Sequence, residues 1–182
     1  MNTMKHLYTV SVYSENHVGL LSQISNIFTR RNLNIETLTV SPSSIKGIHK
    51  FTISTYSDSF TMNQLVTQIE KKIDVVKAYF YENEEIIHQE VALFKVSTSG
   101  LFESKEIENI VNKFHAEILE VNPTYTVIKK SGTTDYIDEL FNQLSSMDVI
   151  LQFTRSGRVC ITKETKEKVS DFIQEQEKCR IS

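Results

Sequence analysis

Hydrophobic and polar residues follow two periodicities in the first half of the chain. Apolar residues at every second position predict strands with one buried face, whereas apolar residues spaced three and four apart predict amphipathic helices. The strand pattern occurs four times in this half, at residues 8–13, 34–41, 49–56 and 76–80. The helical pattern occurs twice, from Leu20 to a left-handed cap at Asn32 and from Met62 to Ile73. The predicted order is strand, helix, strand, strand, helix, strand.

The same order occurs again in the second half. Strand patterns lie at residues 91–97, 117–121, 125–130 and 149–153, and helical patterns lie at 107–114 and 136–144. Pro42 and Pro123, about 80 residues apart, fall in the same connection of the two halves. The repeated order therefore indicates an internal duplication of the architecture.

Each half has the element order of a ferredoxin-like βαββαβ domain, in which two helices cover one face of a four-stranded antiparallel sheet. We therefore predict an α+β fold with two tandem ferredoxin-like domains. The predicted boundaries are 5–82 for the first domain, 83–89 for a charged linker, 90–163 for the second domain and 164–182 for a charged helical tail. Because such a sheet has an exposed edge strand and an uncovered face, we also expect a homodimer.

Composition and charge exclude several classes of protein. The 182 residues carry a formal net charge of -3, so the chain lacks the basic surface on which nucleic-acid binding depends. No apolar run approaches the ~20 residues that span a bilayer. We expect no secretory leader, because residues 1–5 lead directly into the first predicted strand. We therefore expect a cytoplasmic protein that binds neither nucleic acid nor membrane. Cys160 and Cys179 lack the spacing of a metal or redox motif and are interpreted as reduced thiols.

The sequence contains no recognisable catalytic motif. Its five glycines form neither a phosphate-binding loop nor a dinucleotide-binding fingerprint, and its five histidines lack the spacing of a zinc protease. Asp135, Asp138 and Glu139 lie on the polar face of a predicted helix and are interpreted as solvated. Arg155 and Arg158, at a strand end, either bind an anion or mark a turn, and we favour the turn. We predict no catalytic residue and no metal site in this chain.

The stretch from Ser14 to Leu21 is the strongest candidate for a binding site, because it joins the first strand to the first helix through Gly19. A helix start presents unpaired backbone N–H groups and a positive partial charge, so it attracts a carboxylate without a basic side chain. Asn16 and Asn34, expected at neighbouring ends of the strands that flank this helix, could bind the polar groups of a free amino acid.

Apolar side chains of the same region would surround an aliphatic group, whose burial contributes roughly 1.5 to 3 kcal/mol. They belong to Val18, Leu20 and Ile35. The predicted ligand is a branched-chain amino acid. A purely structural interpretation is the alternative, in which Asn16 caps the helix, Gly19 relieves crowding and Asn34 is a turn residue. His17 is interpreted as a solvated loop residue.

Two segments resemble the ACT domain of the regulatory small subunit of acetolactate synthase, also called acetohydroxyacid synthase. They read Glu15-Asn16-x-x-Gly19-Leu20-Leu21-Ser22-Gln23-Ile24 and Arg30-Arg31-Asn32-Leu33-Asn34-Ile35-Glu36-Thr37-Leu38-Thr39-Val40. The second is specific to that family, whereas the Asn-x-x-Gly-x-Leu element occurs in ACT domains generally. The likeness continues through residues 90–96 and 155–157 and covers about residues 5–163.

The resemblance implies a non-catalytic subunit that activates a catalytic large subunit and confers feedback inhibition, commonly by valine bound between two ACT domains of a dimer. It implies thiamine diphosphate, magnesium and FAD in that partner and no cofactor in this chain. The effector contacts of the family correspond here to Asn16, Gly19 and Asn34, with neighbours at His17, Val18, Leu20 and Ile35. The alternative is a free-standing tandem-ACT sensor that acts on a transcriptional or signalling partner.

Overall fold

The computed structural model of the chain describes residues 5–99, 105–165 and 168–173. Within this part of the chain, two compact units form. The first contains the described residues up to His88 together with those from Arg158 onwards, and the second runs from Gln89 to Gly157. None of the helices among these residues is long and apolar enough to cross a membrane.

The first unit is built on a four-stranded antiparallel sheet with two helices. Its elements are β1 (His6–Glu15), α1 (Leu20–Arg30), β2 (Thr37–Pro42), β3 (Ile48–Ser57), α2 (Ser59–Glu70) and β4 (Val75–Tyr81). The strand order is β2-β3-β1-β4, so β2 and β4 are the edges. This is the predicted ferredoxin-like arrangement.

The core of the first unit lies between one face of this sheet and the two helices. Val10 and Val12 of β1 stand opposite Ile53 and Phe51 of β3 and point to this side. The helices contribute the apolar residues that recur at helical spacing, namely Leu20, Ile24, Ile27, Phe28, Met62, Leu65 and Ile69. The apolar residues that alternate along β1 and recur at helical spacing along α1 are thus buried, as their spacing predicted.

The other face of the first sheet is rich in hydroxyl groups that are buried. They belong to Thr9, Ser11, Thr52 and Ser54. A further strand, β9 (Val159–Thr162), lies on this side and pairs with β5 (Ile86–Ser97). Lys50 Nζ donates to the Cys160 carbonyl at 2.8 Å, and Cys160 is a buried free thiol. A cleft of about 470 Å³ remains between this face and β9.

The segment after the second unit therefore packs on the first. The prediction of one buried face for the first strand is wrong, because Thr9 and Ser11 are buried as well as Val10 and Val12. Helix 168–173 has a fully buried side chain at Val169, and Arg158 is buried and donates to Asn83 Oδ1 at 3.0 Å. Neither β9 nor this return of the chain was predicted from the hydrophobic pattern. Cys179 and most of the predicted tail lie outside the described residues.

The second unit has the same architecture on a second sheet. Its elements are β5 (Ile86–Ser97), which begins in the first unit, α3 (Lys105–Lys113), β6 (Glu117–Val121), β7 (Tyr125–Gly132), α4 (Thr134–Ser146) and β8 (Ile150–Arg155). The strand order is β6-β7-β5-β8. Phe94 and Phe153 lie in its core with ring centroids 4.9 Å apart. Arg155 contacts Asp138 at 2.7 Å, so its guanidinium is engaged by the protein itself.

The predicted fold class is confirmed, and three further local predictions are wrong. Strand β2 begins at Thr37, not at Asn34, because Asn32 adopts φ = +53° and Leu33 N–H donates to the Phe28 carbonyl, which makes the connection irregular. Helix α2 ends at Glu70, so Ile73 is fully exposed in the following turn.

The third wrong prediction concerns the last strand of the second repeat. The alternating pattern predicted at 149–153 places Leu151 on the same buried face as Val149 and Phe153, but Leu151 is 59% exposed. The pairing of β5 with β8 shifts register between Lys95 and Val96, and this bulge moves Leu151 off the alternation. The range 83–89, predicted as a linker, contains a 3-10 helix at Asn83–Glu85 and the start of β5.

Candidate functional site

The candidate site begins where α1 starts. Gly19 is the N-cap residue, with φ = +89° and ψ = -10°, a left-handed conformation that favours glycine. A Cβ atom added at Gly19 would meet no atom within 4 Å, so the glycine is required by backbone conformation and not by crowding. Among the described residues, no side chain caps α1. The alternative in which Asn16 caps this helix and Gly19 relieves crowding is therefore wrong.

The first turn of α1 is electrostatically open to an anion. The first hydrogen bond of the helix runs from the Gln23 N–H to the Gly19 carbonyl at 3.1 Å, and Leu20 N–H lies 3.4 Å from the His17 carbonyl. The N–H groups of Leu21 and Ser22 have no acceptor within the helix, and the turn holds no acidic residue. Partial positive charge at this end can therefore bind a carboxylate.

The residues before Gly19 form an exposed loop. Asn16, His17 and Val18 are all exposed, and Val18 is as accessible as it would be in an extended chain. Leu20, by contrast, is 1% exposed and packs in the core. Of the predicted apolar neighbours in this loop, Val18 is thus the one whose surface is free to meet a ligand or a second protein chain.

Asn34 and Ile35 lie in the connection from α1 to β2. Asn34 Nδ2 donates to Glu36 Oε1 at 2.9 Å, and the Asn34 carbonyl accepts from Thr55 Oγ1 at 2.6 Å. Ile35 is partly buried against the core. The amide oxygen of Asn34 and the Glu36 carboxylate are both acceptors that suit an ammonium group.

The strand register separates Asn34 from Asn16. Glu15, next to Asn16, stands opposite Ile48 at the start of β3, whereas Asn34 is bonded to Thr55 near the end of β3. At about 3.3 Å per residue, seven residues of strand correspond to roughly 20 Å. The expectation that Asn16 and Asn34 lie at neighbouring strand ends is wrong, and within one chain they cannot contact the same small amino acid.

The structure also brings a residue to the loop that the sequence did not indicate. His17 Nδ1 lies 2.6 Å from Asp74 Oδ1, and His17 Nε2 lies 3.7 Å from Glu15 Oε2. The hydrogen bond with Asp74, followed by the negative charges of Asp74 and Glu15, raises the pKa of His17 above its ordinary value. Asp74 follows the end of α2 and lies 57 positions away in sequence, so no local pattern could have found it.

Glu15, His17 and Asp74 also form the group of side chains that most resembles a metal site in the described part of the chain. Their ligand atoms lie within 4.8 Å of one another. We assign them to a hydrogen bond and an ion pair and not to metal ligands, because His17 Nδ1 is already engaged by Asp74 and all three groups are at least partly solvated.

Comparison with known proteins covers both units. Residues 10–77 match the family model described as the AHAS small subunit-like ACT domain. Residues 89–164 match the model described as the small subunit of acetolactate synthase. The two matches occur in the order of the two units.

Individual relatives match over nearly their full lengths. The acetolactate synthase small subunit of Buchnera aphidicola subsp. Baizongia pistaciae is 32% identical over 88% of this chain and 99% of its own. That of Haemophilus influenzae is 32% identical over 86% of this chain and 96% of its own. The crystal structure of the acetolactate synthase small subunit from Thermotoga maritima is similar with a TM-score of 0.79, at 26% identity over 88% of this chain and 99% of that one.

Proposed function

The chain belongs to the family of acetolactate synthase small subunits, and from this premise we propose that its first unit senses a branched-chain amino acid, valine in the first place. As a small subunit of that family, the chain is the regulatory subunit of a transferase holoenzyme and associates with a catalytic large subunit. We propose that it activates the large subunit and that bound amino acid inhibits the holoenzyme in the cytoplasm.

One observation carries the proposal, namely the uncapped start of α1 at Gly19. This turn offers backbone N–H groups to a carboxylate, and no acidic side chain in it competes for them. Asn16 precedes it in an exposed loop and can supply an amide group beside the ligand. The valine carboxylate would accept from these donors, and its ammonium group would face oxygen acceptors.

Those acceptors come from a second copy of the chain in our proposal, because Asn34 of the same chain is too distant. Strand β2 is a sheet edge, so two copies can pair their β2 strands about a twofold axis. In an antiparallel pair, the start of one β2 lies beside the end of the other. The Asn34 segment of the partner then lies at the end of the sheet where Asn16 lies.

Exposed apolar side chains support the same dimer. Val18 is fully exposed and Val40 of β2 is 42% exposed. Apolar side chains left in solvent beside a free edge strand are typical of an interface with another chain. The proposed effector site comprises Asn16, His17, Val18, Gly19 and Leu20 of one chain with Asn34 and Ile35 of its partner.

The chemistry of synthesis belongs to the large subunit. We propose that thiamine diphosphate, magnesium and FAD bind there, and that this chain contributes neither a cofactor nor a catalytic residue. The proposal replaces the alternative of a free-standing sensor, since the chain matches the small subunit in both units. Coupling between effector site and partner is expected at about 1 to 3 kcal/mol.

The test is a calorimetric titration of the purified chain with valine, leucine and isoleucine, with lysine as the unrelated amino acid. We expect saturable binding of at least one branched-chain amino acid and at least about tenfold weaker binding in Asn34→Ala, which removes one polar contact of the ligand. Asn26→Ala is the matched control, because Asn26 is an exposed asparagine on the outer side of α1.

Reconstitution with the large subunit then separates the two regulatory roles. Asn34→Ala should activate the synthase like the wild type and resist inhibition by the amino acid. Equal inhibition of the wild type and Asn34→Ala would refute the assigned site. A chain that binds no branched-chain amino acid, alone or with the large subunit, would refute sensing altogether.

A further inference from the structure

Asp74 holds the loop before α1 by two separate contacts. Its carbonyl accepts from the Glu15 N–H at 2.9 Å, and its carboxylate bonds to His17 Nδ1 at 2.6 Å. The first contact fixes the end of β1, and the second fixes the loop two residues later. Both contacts lie within the first unit.

Packing and backbone hydrogen bonds on either side fix the position of Asp74. It precedes Val75, whose side chain is 8% exposed and packs in the core, and Val75 pairs with Ser14 of β1. The turn before it is closed by hydrogen bonds from Lys72 N–H to Ile69 O and from Val75 N–H to Lys72 O. Asp74 therefore lies in a turn held by backbone hydrogen bonds and by the buried Val75, whereas His17 lies in the exposed loop before α1.

The loop has few other constraints. Ser14 and Leu20 are buried on either side, and residues 15–19 between them are exposed. Among the side-chain hydrogen bonds and ion pairs described for 16–19, those of His17 are the ones that tie the loop to the rest of the unit. Loss of the His17 contact would leave Asn16 and Val18 free to sample other conformations before the left-handed residue Gly19.

We propose that Asp74 is a positioning residue of the effector site, which holds Asn16 and Gly19 in place through protonated His17, so that the chain binds its amino-acid effector more tightly when His17 is charged. The inference rests on the function proposed above, because it concerns the affinity of that same site. Asp74 itself does not touch the ligand.

The charges around His17 set the direction of the effect. The groups that face it are Asp74 from the α2–β4 connection and Glu15 from the end of β1, and both are acidic. Both favour the imidazolium, in agreement with the raised pKa of His17. Affinity should be highest below the pKa of His17 and should fall as the pH rises through it, with a proton taken up on binding above that value.

Two measurements test the proposal on the full-length chain. The first is an NMR titration of the His17 ring without effector, in which Asp74→Asn should lower the pKa of His17. The second is calorimetry with valine between pH 6 and 9 in the presence of a chelator, which excludes a contribution from bound cations. We expect wild-type affinity to fall about two- to fivefold across this range, as suits a contact between partly exposed charges.

In Asp74→Asn and His17→Gln the affinity should be weaker at pH 6 and nearly independent of pH. His17→Gln alters an exposed loop, so it keeps the test valid if Asp74→Asn fails to fold. His49→Gln, the same substitution on β3 of the same unit, should keep the wild-type profile. If leucine or isoleucine binds more tightly than valine, it serves as the probe.

The outcomes distinguish the two proposals. If valine binds with the same affinity at every pH, or if Asp74→Asn binds like the wild type, the positioning role is wrong and the sensor remains. If none of the three branched-chain amino acids binds at any pH, either to the chain alone or in the presence of the large subunit, the proposed function fails and this inference fails with it. A change in proton uptake between buffers of different ionisation enthalpy, absent in His17→Gln, would support the assigned group.

Discussion

Helices α1 and α2 begin in opposite ways, although both pack on the same sheet. Helix α2 starts at Asp58, whose carboxylate accepts from the Thr61 N–H at 2.9 Å and from the Thr61 hydroxyl at 2.8 Å. Helix α1 starts at Gly19, which has no side chain to accept a hydrogen bond. The protein closes one helix start with its own carboxylate and leaves the other open.

The difference shows how a binding site can be made from backbone alone. A side-chain cap satisfies N–H groups that the helix cannot satisfy and so stabilises the fold. The same cap would occupy the donors that a ligand needs. In α1 the left-handed glycine turns the chain into the helix without supplying a competitor. In our proposal, the carboxylate of the amino-acid effector would take the role that Asp58 has in α2.

The largest expected effect on effector binding comes from placing an acidic side chain at the start of α1. Gly19→Asp should abolish binding of branched-chain amino acids, because a fixed carboxylate beside the helix start repels the ligand carboxylate and competes for its donors. We expect affinity at least about tenfold below that of Gly19→Asn, measured by calorimetry. Asparagine has nearly the same shape, is neutral, and tolerates the left-handed conformation.

Gly47 serves as a control position for Gly19, because a substitution there separates the effect of backbone strain from the effect of ligand contact. Gly47 in the β2–β3 turn has φ = +82° and equally open space, so Gly47→Asp imposes similar backbone strain away from α1. Both aspartate variants should melt at lower temperature than the wild type, and only Gly19→Asp should lose the ligand. Binding by Gly19→Asp at wild-type affinity would show that the helix start is not the carboxylate site.

A smaller effect is expected at the capped helix. Asp58→Ala removes the acceptor for Thr61 and should lower the melting temperature by a few degrees, while effector affinity stays within about twofold of the wild type. Asp58→Asn keeps a good capping residue and should recover most of the loss. If Asp58→Ala weakened effector binding as much as Gly19→Asp, the two helix starts would not be functionally distinct.

Much of this comparison was predictable from local sequence. The apolar spacing of Leu20, Ile24 and Phe28 places α1, and its start follows from Gly19 after a strand. Burial of an alternating or periodic set of side chains is a local property, so the order of strands and helices from β1 to β8 was predicted correctly, whereas β9 was missed. The predicted strand boundary was wrong where an irregular connection precedes the strand, as before Thr37 at the start of β2.

The arrangement of the site was not predictable, because it depends on register and on distant contacts. Asn16 and Asn34 are both close to α1 in sequence, yet α1 carries the chain from one end of the sheet to the other and so separates them. The contact between His17 and Asp74 joins residues 57 positions apart. Neither leaves a periodic signal in a single sequence.

The smallest expected effect is the pH dependence of the cap on α2. Hydrogen bonds from the Thr61 N–H and hydroxyl lower the pKa of Asp58 below its ordinary value. A carboxyl whose pKa is lower in the folded state adds stability above its unfolded pKa, and this stability disappears as the pH falls through the folded pKa.

Thermal melts of the wild type and Asp58→Asn between pH 6 and 3 therefore test the cap, since other carboxylates are common to both chains. As the pH falls below about 4, the melting temperature of the wild type should decrease more than that of Asp58→Asn. A difference that stays constant over this range would mean that Asp58 caps α2 without regard to its charge, and the contrast with Gly19 would then rest on hydrogen bonding alone.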